Sequence, residues 1–168
     1  TNVVSPELTG TTDDASAVIE VTVDGNAYMA TNNGATWALA AGTISPDLAD
    51  GTYEVSVTAT DAAINSSTEA TTDELVEDII GPVMTVEELV TNVVSPELTG
   101  TIDDATATIE VTVNGNAYAA INNGTTWTLA AGTITPDLTD DTYEVSVTAT
   151  DAAMNVGTDA TADELTID

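Results

Sequence analysis

The chain has 168 residues, of which 29 are acidic and none is Lys, Arg or His, so its formal net charge is −29. This charge argues against nucleic acid as a partner and against insertion into an anionic membrane, since both need cationic side chains. The absence of Cys excludes disulfides and thiol chemistry, and no apolar run reaches the length of about 18 residues that a membrane span requires.

Apolar residues alternate with polar ones in short runs along the chain. Ile19, Val21 and Val23 form the first such run, Trp37 and Leu39 the next, and residues 53–59 the longest. This period of two predicts β-strands with one buried and one solvated face. Turn residues separate the runs, at positions 24–26, 32–34, 45–47 and 50–51. The 42% hydrophobic content favours a folded chain over a disordered one.

The chain contains an internal repeat with a period of 90 residues. Thr1–Gly10 returns letter for letter as Thr91–Gly100, and 60 of the 78 aligned positions are identical without an insertion. We therefore expect two domains, at residues 1–78 and 79–168, each near the lower size limit for independent folding.

The second copy predicts seven short strands, which indicates an antiparallel β-sandwich. The strands are expected near residues 83–89, 96–102, 107–113, 117–121, 126–130, 142–150 and 157–166. Tyr53 and Tyr143 follow a turn at the start of a strand, where a tyrosine corner is expected. Nothing equivalent to residues 81–90 precedes Thr1, so we expect the first domain to lack its first strand. Either the sequence was cut there, or another chain donates the strand.

Three segments of the second copy carry a family resemblance. Residues 139–155 read Thr-Asp-Asp-Thr-Tyr-Glu-Val-Ser-Val-Thr-Ala-Thr-Asp-Ala-Ala-Met-Asn, and residues 98–109 and 122–129 add further matching motifs. Together they resemble the bacterial Ig-like tandem repeats of giant adhesins exported by type I secretion. The resemblance implies an all-β fold of two tandem Ig-like antiparallel sandwich modules arranged end to end. Ile64 and Met154 depart from the family pattern, which often has Gly at that loop position.

The resemblance also implies a function and a location. Such modules act in series as extenders that hold a binding domain away from the bacterial cell surface, in adhesion and biofilm formation. The expected partners are the neighbouring modules of the same chain and calcium ions, which stiffen the rod at module junctions in several of these adhesins. The location implied is extracellular.

The acidic residues themselves suggest where Ca²⁺ would bind. In an Ig-like sandwich the loop after the second strand and the loop before the last strand lie at the end where the chain enters. Acidic patches from both loops and from the linker should then converge, and their mutual repulsion favours a bound cation. The predicted ligands at the junction are Asp78, Asp103, Asp104, Asp151 and Asn155, with Glu77 as a weaker candidate; the equivalent residues of the first copy are Asp13, Asp14, Asp61 and Asn65. The alternative is that these are ordinary loop acids that start turns.

Enzymatic activity is not expected. Without His, Cys, Lys or Arg, most nucleophilic and phosphoryl-transfer chemistry has no residues to perform it. Two other function classes remain as alternatives to the extender. One is an extracellular filament subunit that forms a homopolymer by strand donation, and the other is an Ig-like module that binds a carbohydrate or another ligand. The near-identity of the loops in the two copies argues against the second.

Overall fold

A computed structural model describes residues 1–69, 71–159 and 161–168. The chain divides into two compact units, Thr1–Ile79 and Ile80–Asp168. Within these described ranges there is no helix long and apolar enough to cross a membrane.

The first unit is a β-sandwich. Its larger sheet has the order β1-β4-β3-β2-β6-β7, and its smaller sheet pairs β5 with β8. The strands are β1 Leu8–Thr11, β2 Val18–Val23, β3 Asn26–Asn32, β4 Thr36–Leu39, β5 Gly51–Tyr53, β6 Val55–Thr60, β7 Ser66–Thr68 and β8 Leu75–Glu77. The predicted alternation is confirmed in β2, where Ile19, Val21 and Val23 are buried and face a core that also holds Trp37 and Leu75.

The second unit repeats this order and adds one strand. Its larger sheet runs β10-β13-β12-β11-β15-β16, and its smaller sheet runs β14-β17-β9, with β9 parallel to β17. The strands are β9 Leu89–Thr91, β10 Leu98–Thr101, β11 Thr108–Val113, β12 Asn116–Asn122, β13 Thr126–Leu129, β14 Asp141–Tyr143, β15 Val145–Thr150, β16 Val156–Thr158 and β17 Leu165–Ile167. The two units therefore have the predicted antiparallel sandwich fold.

The first strand predicted for the second unit, near 83–89, lies along the outer edge of β10. The Thr85 amide donates to the Thr101 carbonyl at 3.1 Å, and the Glu87 amide donates to the Thr99 carbonyl at 2.9 Å. Met84 forms an antiparallel bridge to Ile102. We call residues 82–88 the edge segment of the second unit.

Two tyrosines in each unit fasten loops to strands. The Tyr53 hydroxyl donates to the Ala49 carbonyl at 2.9 Å, and the Tyr143 hydroxyl donates to the Thr139 carbonyl at 3.0 Å, which confirms the predicted tyrosine corners. Sequence analysis missed a second tyrosine hydrogen bond to a loop carbonyl in each unit. The Tyr28 hydroxyl donates to the Ser45 carbonyl at 2.9 Å, and Tyr118 makes the same bond to Thr135.

The long strand predicted at residues 142–150 is broken. It stops at Tyr143 and restarts at Val145, so β14 pairs with β17 while β15 pairs with β11. A glutamate from a distant part of the chain explains the break. Glu164 Oε2 accepts the Val145 amide at 3.0 Å, which satisfies a backbone donor between the two sheets. The strand therefore crosses from one sheet to the other within one residue.

Candidate calcium-binding loops

The loop between β1 and β2 of the first unit is held in one conformation by an aspartate. Asp14 Oδ1 accepts both the amide and the hydroxyl of Ser16, each at 2.7 Å. The Asn32 side chain also donates to the Asp14 carbonyl at 3.0 Å and to the Ala17 carbonyl at 2.8 Å. In the second unit Asp104 and Thr106 make the same pair of bonds at 2.7 Å. These bonds keep the loop in one conformation in each unit.

The loop between β6 and β7 is closed by a pair of residues, Asp61 and Asn65. Asp61 Oδ1 accepts the Asn65 amide and Asp61 Oδ2 accepts the Asn65 side-chain amide, both at 2.9 Å. Asp151 and Asn155 repeat both bonds at 2.9 Å in the second unit. The structure therefore brings together one pair of predicted ligands within each unit.

The residue before each asparagine has a left-handed backbone. Ile64 has φ 69° and Met154 has φ 73°, a region that costs an L-residue about 1 kcal/mol or more. Their side chains are 85% and 70% exposed, so packing does not offset this cost. This is the position at which the resembling family often has Gly, and the loop adopts the glycine conformation without it.

Hydrogen bonds lower the pKa of Asp14, Asp61 and Asp151. The Ser16 hydroxyl lowers the pKa of Asp14, and the Asn65 side chain lowers the pKa of Asp61. The charge of Asp61 partly opposes the shift at Asp14, so the two carboxylates of the first unit repel one another. At Asp151, burial raises the pKa, but the bonds from Asn155 and the following loop lower it by more.

Asp103 has a role that sequence analysis missed, because it holds the edge segment. Asp103 Oδ1 accepts the Val83 amide at 2.8 Å, and the Asp103 amide donates to the Val83 carbonyl at 3.1 Å. The equivalent residue of the first unit, Asp13, is exposed.

Glu77 lies inside the first unit. It is 2% exposed, and neither carboxylate oxygen has a hydrogen-bond partner. Burial raises the pKa of Glu77, and the nearby Asp50 and Asp78 add to the shift, while the Thr1 ammonium opposes it. Ile167 occupies this position in the second unit and is equally buried. Asp78 belongs to the first unit, where its amide donates to the Thr1 carbonyl at 2.8 Å.

The donor chemistry of these loops suits a hard cation, because carboxylate and amide oxygens are the ligands that Ca²⁺ prefers. Nevertheless, residues 1–69, 71–159 and 161–168 contain no group of three or more acidic side chains that could hold a metal ion. Each unit supplies pairs of candidate ligands from its own loops.

The chain was compared with known protein families and curated proteins. The model of the bacterial Ig-like domain matches residues 1–77 and again residues 84–168. No significant match was found among curated proteins.

Three solved structures are similar to this chain, and the first of them shares its fold. A structure of a 1.5-MDa bacterial ice-binding adhesin, from work on host cell surface retention, is 24% identical with a TM-score of 0.52, covering 96% of this chain and 57% of the other. A Ca²⁺-stabilized adhesin with which an Antarctic bacterium binds ice is 20% identical with a TM-score of 0.48, covering 96% and 44%. A tetra-tandem repeat in the extending region of a large adhesion protein is 24% identical with a TM-score of 0.39, covering 96% and 46%. The chain thus spans less than two thirds of each of these structures.

Proposed function

The chain belongs to the bacterial Ig-like domain family, and we propose that it is a structural extender segment of a large extracellular bacterial adhesin. The observation that carries this proposal is the pair of units with the same fold and nearly the same loops. A ligand-reading module would gain little from repeating its loops almost unchanged, whereas a spacer gains length from each copy.

In this role the two modules would hold a distal binding domain away from the bacterial surface, and so serve adhesion and biofilm formation. The residue types agree with a non-enzymatic role, since His, Cys, Lys and Arg are all absent from the sequence. The aromatic residues also agree with it. Trp37 and Trp127 are buried, and the four tyrosine hydroxyls bond to loop backbone.

The second part of the proposal is that bound calcium stiffens the two-module segment. Its ligands would be Asp78, Asp103, Asp104, Asp151 and Asn155, with the equivalent loops of Asp13, Asp14, Asp61 and Asn65 serving a module placed before the first. The support lies in the lowered pKa of Asp61 and Asp151, which favours their charged form, and in the hydrogen bonds that fix the loops in advance. Burial of Glu77 makes it the least accessible of the candidates.

Thermal unfolding of the whole chain with EGTA and with millimolar calcium tests the calcium proposal. A ligand at about a hundred times its dissociation constant stabilises the folded state by about 2.7 kcal/mol per site. We expect calcium to raise the melting temperature, and small-angle scattering to report a less flexible chain.

A double variant, Asp103→Asn with Asp104→Asn, tests the ligand assignment. Asparagine keeps an oxygen that can accept from Val83 and from Thr106, so the loop retains its bonds while two charges are lost. The calcium-dependent rise should fall sharply. The matched variant Asp13→Asn with Asp14→Asn should keep the rise. An unchanged rise in the first variant would show that these aspartates are not calcium ligands.

A further inference from the structure

The chain that leaves the first unit is held by a carboxylate after its last strand has ended. β8 ends at Glu77, which pairs with Gly51 of β5. Asp50, the residue before β5, therefore lies beside the residues that follow β8. Its Oδ1 accepts the Ile79 amide at 2.7 Å. The backbone of the first unit is thus fixed for two residues beyond the end of β8.

This hydrogen bond forms in spite of electrostatic repulsion. Burial raises the pKa of Glu77, and the charges of Asp50 and Asp78 raise it further, so the three carboxyl groups lie close enough to repel one another. The sequence has no Lys, Arg or His that could offset these charges. The bond from a backbone amide to a carboxylate is the favourable contribution of Asp50 at this place, because such bonds are roughly twice as strong as neutral ones.

The chain that enters the second unit is held by close backbone contacts. A Cβ added to Gly81 would lie 2.8 Å from the carbonyl carbon and oxygen of Val156, so a larger residue would push the backbone away from β16. Pro82 is buried, and its ring fixes its own φ and restricts the residue before it. The Val83 amide donates to Asp103 Oδ1 at 2.8 Å. The backbone of the second unit is therefore fixed from Gly81 onward.

One residue between these two fixed stretches has no comparable contact. The Ile80 side chain is 64% exposed, and Ile80 lies outside every strand. Among the residues that the structure describes, none accepts a hydrogen bond from the Ile80 amide. The backbone torsions left without a restraint are therefore those on either side of Ile80.

We propose that the connection between the two units bends at Ile80 alone, and that Asp50 is the positioning residue that sets this limit. Each residue contributes two soft backbone torsions. Without the bond from Ile79 to Asp50 the unrestrained stretch would grow from one residue to two, and its conformational freedom would rise accordingly. The restraint consists of the protein's own atoms, so this inference does not depend on calcium or on the extender role.

NMR relaxation of the ¹⁵N-labelled whole chain in EGTA tests the proposal. The sequence of residues 78–83 occurs only once, so its amide signals have no counterpart in the other copy. We expect order parameters of about 0.85 at Ile79, Gly81 and Val83, as in rigid backbone, and a value below about 0.6 at Ile80. Low order throughout residues 78–83, or a rigid Ile80, would overturn the proposal.

The Asp50→Ala variant tests the role of Asp50. It removes the acceptor, so the order parameter of Ile79 should fall to that of Ile80, and the Ile79 amide should exchange with solvent at least about tenfold faster. Asp50 is exposed, so the first unit should stay folded, with its Trp37 indole signal unchanged. An unaltered Ile79 amide would contradict the role of Asp50.

Two further variants serve as controls for that result. Asp50→Asn should keep Ile79 rigid, because the side-chain amide oxygen can accept the same bond with less repulsion. Asp140→Ala changes the aligned residue of the second unit and should leave Ile79 as it is. Loss of order at Ile79 in Asp50→Asn would show that the charge of Asp50, and not its hydrogen bond, holds the chain, and would overturn the assignment.

Gly81→Ala tests the other end of the unrestrained stretch. The added Cβ would collide with the Val156 backbone, so the chain should move away from β16. We expect the amide of residue 81 to lose order while Ile79 stays rigid. An unchanged order parameter at residue 81 would show that the contact with β16 does not limit the bend to Ile80.

Discussion

The two units share a fold and most of their sequence, yet their cores differ. In the second unit Leu98, Val147 and Ala149 are fully buried, whereas Leu8, Val57 and Ala59 of the first unit are only half-buried. The sequences of β6 and β15 are identical, Val-Ser-Val-Thr-Ala-Thr in both. The difference in burial therefore comes from what covers the strands, namely the edge segment, and not from the strands themselves.

This comparison shows that the edge segment, a short stretch of backbone, decides how fully the core of a small sandwich is buried. A small domain buries few residues, so the burial of Leu98, Val147 and Ala149 contributes a considerable share of its core. Three substitutions between the copies fall where the second unit contacts its edge segment or buries an apolar side chain: Thr12 for Ile102, Ser67 for Gly157 and Glu77 for Ile167. The pair Glu77 and Ile167 is used in one of the predictions that follow.

The largest effect is expected from Gly100→Ala. A Cβ at this position would lie 1.8 Å from the Thr85 carbonyl oxygen and 2.5 Å from the Trp127 indole nitrogen. We expect a loss of about 3 kcal/mol in the second unit, since neither the backbone nor a fully buried Trp can yield. The measurement is urea unfolding followed at the Trp127 indole signal.

Gly10→Ala is the matched control for that variant. The three atoms nearest to its Cβ would all belong to the Trp37 ring, at 2.6 Å, and Trp37 is less deeply buried than Trp127. The loss in the first unit should be about 1 kcal/mol. Equal losses in the two units would show that the edge segment adds nothing to the constraint at this glycine.

The next effect is a gain, from Glu77→Ile. The variant replaces a buried carboxylate that has no hydrogen-bond partner with the residue found at the same place in the second unit. We expect the first unit to gain about 2 kcal/mol at neutral pH. Glu77→Gln should gain less, because its buried amide still has no partner.

The gain should depend on pH in a defined direction. Because burial raises the folded-state pKa of Glu77, the folded unit favours the protonated form. The natural chain therefore loses stability as pH rises from the unfolded pKa of Glu, about 4.3, through the raised value. The advantage of Glu77→Ile should shrink as pH falls toward 4.3, and an advantage independent of pH would contradict the assigned cause.

The smallest effects are expected from Ile64→Gly and Met154→Gly. Each removes an exposed side chain from a residue with a left-handed backbone, and each should stabilise its unit by up to about 1 kcal/mol. Calorimetry of the two variants should give gains of similar size. A loss in either would show that the exposed side chain contributes a contact that outweighs the strain.

Much of the fold could be predicted from the sequence, because period-2 alternation and turn residues act locally. Ile19, Val21 and Val23 were assigned to the core by alternation alone, and Tyr53 and Tyr143 to tyrosine corners by their place after a turn. The break at Glu144 could not be predicted, since alternation continues through it and no turn residue marks it. Its cause is Glu164, a residue distant in sequence.

Less of the candidate site could be predicted. Loop aspartates stand out in a sequence, but their hydrogen-bond partners do not, so the bond from Val83 to Asp103 was missed. Glu77 could have been noticed, because the aligned residue is Ile167 and its neighbours alternate toward the core. The calcium ligand set, including Asp78, stays a prediction.

Native-state hydrogen exchange of the whole chain in EGTA tests the difference between the units most directly. Residues 52–63 and 142–153 have identical sequences, so their amides have the same intrinsic exchange rates, and differences report structure alone. We predict slower exchange at Val147 and Ala149 than at Val57 and Ala59. Equal protection in the two units would contradict the account.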